Sequence, residues 1–435
     1  MTLRTLLMGG GSLLLASGIF LILGQKMDEQ RWVQPDDPAI QYGDLPVNDP
    51  ITRLEARLAQ GKAKLEYAND GTGYLRSLLK NLDINIDSQV LVFSKTSFQA
   101  PRIAPRTPRA LYFNGRVAVG FVRTGDVLEF AALDPHLGIV FYTLDQDAGP
   151  KPHFDRRDTC LQCHQSGGTL GVPGLVVRSV YPDSTGMPLF HAGTFVTDHR
   201  SPMKERWGGW YVTGNTGDQV HMGNAIVPDR NQPSELEKTE TQNLTDLRNK
   251  IDTGAYLAPH SDVVALMTLE HQTRMVNLMT RVGWEAKLAQ FDDAAINKAL
   301  NRPAGELSDS AIEELLEYLL FSGETKLTAP VQGTSAFARE FAGQGPQDAS
   351  GRSLREFDLH TRMFRYPCSY MIYSEAFDGM PAVVRERLYR RMWQVLTSDE
   401  KKPAFAHLSA SDRRAIREIV AATKKGLPEY WTAKP

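Results

Sequence analysis

Apolar residues recur at helical spacing from Ile51 to about Leu65 and again from Tyr74 to Leu82, with Gly71-Thr72-Gly73 breaking the pattern between them. From Gln89 the period changes to two. Val90 and Val92, then residues 116–122, 127–130 and 138–144, are short β-rich runs divided by turns at Asn114-Gly115, Thr124-Gly125-Asp126 and Asp134-Pro135. That spacing predicts an antiparallel meander. Residues 175–181, 187–196 and 207–213 read as further strands, the first two joined by a Pro-Asp-Ser-Thr-Gly turn at 182–186. Beyond Pro228 the pattern is helical to the end, over 262–282, 308–321, 381–396 and 412–424. Ser261, Ser308 and Pro381 are start signals, and Gly283 and Gly426 are stop signals. The expected fold class is α+β: an antiparallel β meander followed by a mostly α-helical C-terminal half.

Ahead of this body, residues 5–24 carry no charge and are flanked by Arg4 and Lys26. About twenty apolar residues cross a bilayer. A cleavable signal has a shorter apolar core and an A-x-A-like site, for which Ala16-Ser17-Gly18 and Ile22-Leu23-Gly24 are weak matches. Residues 1–28 therefore read better as a retained membrane anchor than as a removed signal, with Arg4 favouring a cytoplasmic N-terminus. Residues 29–50, rich in Asp, Pro and Gln, are expected to be a spacer. Residues 51–230 then form an α+β region and 231–435 a helical one. On either reading of the N-terminus the body is exported, to the periplasmic side of a bacterial inner membrane.

Forty-nine basic against fifty-one acidic residues leave a formal charge of −2. Nothing in that balance calls for nucleic acid or an acidic polymer as partner.

The chemistry is concentrated in one pentapeptide. Cys160, Leu161, Gln162, Cys163 and His164 spell C-x-x-C-H, the attachment pattern of c-type haem. On a helical turn, positions i, i+3 and i+4 share a face, so two thiols reach the haem vinyl groups while the adjacent imidazole binds iron. Three other chemistries compete. A structural zinc site needs four Cys or His ligands, and the remaining cysteine, Cys368, is remote and has no second C-x-x-C around it. A thioredoxin-like pair prefers a helix N-terminus after a strand in a βαβ unit, whereas Asp155-Arg156-Arg157-Asp158-Thr159 precedes this motif and a Gly-rich run follows it. A disulfide is the third. Haem is the reading that export supports independently, because bacteria attach c-type haem outside the cytoplasmic membrane. Cys368 is then an odd thiol in an oxidising compartment, expected to be buried and inert.

A c-type iron is usually completed by His or Met. Stacking the helix predicted from Asp262 puts Val264, Met267, His271, Met275, Leu278 and Val282 on one stripe, so His271 is the first candidate for a distal ligand. A core histidine that merely finds a hydrogen-bond partner is the alternative at that position. His221 and Met222, His199 and Met203, and Met187 are the other candidates, and an iron with an open distal side is a further option. Trp207 and Trp210 suit either a porphyrin face or a core. Residues 101–109 hold three arginines and no acid. They read as a solvated Pro-rich loop, or as a cluster pairing with haem propionates or an acidic redox partner.

Several stretches carry a family resemblance: Pro108-Arg109-Ala110-Leu111-Tyr112-Phe113-Asn114, the run 160–174, Gly193 through Pro202, Arg206-Trp207-Gly208-Gly209-Trp210-Tyr211, His221-Met222-Gly223-Asn224, Leu269-Glu270-His271-Gln272 and Arg365-Tyr366-Pro367-Cys368. Through them the chain resembles a family of large bacterial monohaem c-type cytochromes. The resemblance implies haem binding and electron transfer, and brings no substrate with it. The expectation is thus a membrane-anchored periplasmic cytochrome with one haem c on Cys160 and Cys163 and with His164 as proximal ligand. His271, Met222, His221 or His199 would be the distal ligand, and the electrons would pass to redox partner proteins of the periplasm or respiratory chain. A haem-dependent oxidoreductase with an open distal site is the alternative.

Overall fold

Asp49 starts the first helix by accepting from the N–H groups of Ile51 (2.8 Å) and Thr52 (2.9 Å), while Thr52 Oγ1 accepts from the Asp49 N–H at 3.0 Å. This reciprocal cap satisfies donors that the first turn cannot. In the computed structural model, which describes residues 33–149, 152–233, 236, 240–291, 294–299, 307–398 and 400–431, the helix is α1 (Pro50–Ala59), followed by α2 (Leu75–Asn81). The period-two stretch then forms β1 (Val90–Val92), β2 (Arg109–Phe113), β3 (Val117–Val122), β4 (Val127–Asp134), β5 (Gly138–Asp145) and β6 (Phe154–Arg156). After the short helix α3 (Leu161–His164) come β7 (Val177–Val180) and β8 (Thr194–Thr197), a separate hairpin, and β9 (Trp210–Tyr211). The main sheet has seven strands in the order β6-β5-β4-β3-β2-β1-β9, every pair antiparallel. The fold is α+β, with the meander leading straight into the C-x-x-C-H motif.

Alternation along the strands gives the sheet two buried faces. Leu91, Tyr112, Phe121, Phe130 and Tyr142 point to one core, with α1 and α2. Val92, Phe113, Leu133, Ile139 and Phe141 point to a larger one built around the C-terminal helices. After a small ladder of β10 (Gly214–Asn215) comes the spine of that half, α4 (Val263–Gln290), which packs on β5 and β7 as well as on later helices. Those are α5 (Ala294–Ala299), α6 (Asp309–Leu319), α7 (Phe337–Gly343), α8 (Glu375–Gly379), α9 (Ala382–Thr397) and α10 (Ala410–Thr423), with β11 (Gln332–Gly333) completing the small ladder.

Several details differ from the pattern-based expectation, among them the ends of α4 and the place of the spacer. Gly283 does not stop α4; it packs beside Pro381, and buried Trp284 and Ala286 carry the helix on to Gln290. The N-cap is Asp262 rather than Ser261, accepting from Val264 N and Ala265 N at 2.8 and 3.1 Å. The described part of the expected spacer, 33–50, is built into the body: Ile40 and Tyr42 are 0% and 1% exposed, and Tyr42 donates to the Ile139 carbonyl at 2.8 Å. Two large apolar side chains among the prolines and acids are enough to fold it onto the sheet. Among the described residues no helix is long and apolar enough to cross a membrane; the expected anchor, residues 5–24, lies outside the described residues.

Candidate functional site

Where β6 ends, Arg157 pins the chain to β5: its N–H donates to the Phe141 carbonyl and its Nε to Thr143 Oγ1, both at 2.9 Å. A tight turn over Asp158–Cys160 runs directly into α3, and Cys160 N–H donates to the Arg157 carbonyl at 3.1 Å. Cys160, Cys163 and His164 therefore share one helical turn, at the spacing that puts them on one face. Both thiols are free; Cys160 is half-buried and Cys163 exposed. Burial, then the nearby Glu129 carboxylate, pushes the Cys160 thiol above its ordinary range.

His164 is held twice by the same residue. Its carbonyl accepts from Gly174 N–H at 2.9 Å, and its ring Nδ1 stands 3.0 Å from the Gly174 carbonyl. A carbonyl only accepts, so Nδ1 carries the hydrogen and Nε2 is the lone-pair nitrogen. Burial, above all, lowers the imidazole's pKa and keeps it neutral. The ring lies 4.7 Å from that of Phe141. Ser166 and Thr169 close the loop between, Leu170 taking a left-handed φ of 62°. Gly174 has no room for a side chain, since a Cβ there would overlap Asn277 Oδ1. Asn277 in turn bonds both Leu175 N (3.3 Å) and Leu175 O (2.7 Å).

This arrangement fits haem c: two free thiols on one face, and an oriented neutral imidazole with its ligating nitrogen set by a second bond. Val176 and Val196 flank Gly168 just beyond the motif, and Val196 is 40% exposed.

The four distal candidates gather around Arg206 and its neighbours, all 2% exposed or less. His199 Nδ1 faces His271 Nδ1 at 2.8 Å, and His271 Nε2 faces Ser369 Oγ at 2.7 Å, so both nitrogens of His271 are engaged. Arg206 donates to the His199 carbonyl (3.0 Å) and pairs with buried Glu270 at 3.2 Å. Burial raises the Glu270 carboxyl to about 7 against the pull of Arg206. Met222 N–H donates to the Arg206 carbonyl at 3.0 Å and its sulfur receives Ser179 Oγ at 3.6 Å. His221 is buried with its ring 5.2 Å from that of Trp207. His271 precedes Asn277 by six residues on α4, about 9 Å of helix axis. Met203 is also buried, Met187 is exposed, and Cys368 is fully buried with its thiol pushed up by desolvation.

Of the three arginines in 101–109, Arg102 pairs with Asp126 at 2.5 Å and Arg109 with Glu129 at 3.0 Å, while Arg106 is exposed. Gly174, Asn277 and Glu129 support the site without a local signal in the sequence. Only the Gly-Val-Pro-Gly run at 171–174 marks a tight backbone approach. Compared with known proteins, the chain matches no family model, no curated protein and no solved structure.

Proposed function

We propose that this protein is a monohaem c-type cytochrome that passes single electrons on the periplasmic side of a bacterial inner membrane, anchored through residues 5–24 and served by redox partner proteins. The observation that carries the reading is the His164 imidazole, whose Nδ1 is committed to the Gly174 carbonyl, on the same turn as two free thiols. Cys160 and Cys163 would tether the macrocycle and His164 Nε2 would bind its iron. Bound there, haem c supplies reversible one-electron chemistry. Phe141 backs the imidazole, and the exposed Val196 beside Gly168 offers apolar cover.

A second reading, a haem-dependent oxidoreductase with an open distal side, draws on a separate observation: both His271 nitrogens, and the Met222 sulfur, already have partners in the core.

The test is denaturing-gel haem staining of protein made in a host able to attach c-type haem, followed by spectra with and without carbon monoxide. A stained band is expected for the parent and none for Cys160→Ala/Cys163→Ala; an unstained parent overturns the proposal. Low-spin bands that carbon monoxide leaves unmoved are expected for electron transfer, and a high-spin spectrum that it shifts would put the oxidoreductase first.

A further inference from the structure

Next to the motif the sheet carries a largely buried ion pair. Glu129 on β4 is in register with Thr143 on β5 and with Gly120 on β3, on the sheet face that presents Phe141 to His164. Its carboxylate accepts from Arg109 Nη2 at 3.0 Å, Ser97 Oγ at 2.9 Å and Gln99 Nε2 at 2.7 Å. The Arg109 and Glu129 side chains are only 21% and 13% exposed. Gly120 makes the room: a Cβ there would sit 2.9 Å from Arg109 Nε and 3.2 Å from Glu129 Oε2. Thr143, the neighbour of Glu129, is also the side chain that receives Arg157, and Arg157 in turn receives Cys160 N–H. The pair and the motif thus hang on one stretch of sheet.

A buried ion pair rarely adds net stability, because desolvation offsets the attraction. What it provides is fixed charge in a poorly screened place. We infer that Arg109 and Glu129 set the reduction potential of the haem held by Cys160, Cys163 and His164, the guanidinium favouring reduced iron and the carboxylate favouring oxidised iron. The inference rests on the haem reading and assigns both residues a positioning role for charge, with no contact to the iron.

The test is redox titration of the full-length, haem-stained protein at low ionic strength, comparing the parent with Arg109→Gln, Glu129→Gln, Arg109→Lys and the double glutamine variant. Removing a unit charge from a poorly screened place is expected to change the oxidised-to-reduced ratio at fixed potential by several-fold to roughly tenfold. Arg109→Gln is expected to raise that ratio and Glu129→Gln to lower it, with Arg109→Lys and the double variant near the parent. A merely structural pair would not produce shifts of opposite sign. Single variants that move together, or not at all, while staining stays positive overturn the inference and leave the haem reading standing. If Arg109→Gln does not accumulate, Glu129→Gln and Arg109→Lys carry the same test. A parent that does not stain overturns the haem reading itself.

Discussion

Among single side chains, His199 and His271 show what burial does to an imidazole. Burial brings His271 down to about 3 and holds His199 well below its ordinary range, so both stay neutral and one hydrogen serves the two facing Nδ1 atoms. In the unfolded chain each returns to an ordinary value near 6.5. A base with a depressed folded pKa leaves protons to be bound by the unfolded state. Stability is therefore intact above about pH 6.5 and falls as pH drops from there toward 3, by roughly 1.4 kcal/mol per pH unit for His271. In His271→Gln the slope of stability against pH between about 6 and 4, followed by urea denaturation at stepped pH, is expected to be shallower by about that amount. An unchanged slope would assign the acid sensitivity to other groups.

At the scale of elements, Asp262 does the work of two caps. One carboxylate oxygen holds the first N–H groups of α4, and the other accepts from Thr334 N, Ser335 N and Ser335 Oγ at 2.8, 2.9 and 2.8 Å. Asp262→Ala strips five donors at once. A lost cap costs about 1 kcal/mol and each buried donor left unpaired about as much again, so a loss of about 3 kcal/mol or more is expected in equilibrium denaturation. Asp262→Asn, which keeps one acceptor, should lose less. The start of α4 was legible to within one residue because Asp and Ser both read as caps. Its end was not, because glycine breaks an exposed helix more readily than one packed on all sides. The meander was legible from its turn residues, and the strands around 187–213 came out shorter than their apolar runs because chain there leaves the sheet to make turns.

For the molecule as a whole, the motif was legible because its parts are contiguous. The surroundings were not. The four distal candidates meet around Arg206 only through folding, since His199 and His271 come from opposite ends of a long stretch of sequence, and nothing in a helical stripe tells a ligand from a core histidine. Gly174 and Asn277 are a similar case, a glycine and an amide from different halves of the chain. Gly174→Ala is expected to keep haem staining while perturbing the axial absorption bands, because it displaces the carbonyl that orients His164 and leaves the thiols untouched. Spectra identical to the parent would mean that Gly174 does not orient the ring.

Asn277 clamps Leu175 by both of its peptide groups, and the first of them, which joins Gly174 to Leu175, carries the carbonyl that aims His164. The longest helix and the smallest are in that sense geared together. A change in the helical half that displaces Asn277 is therefore expected to act on the peptide that orients the imidazole.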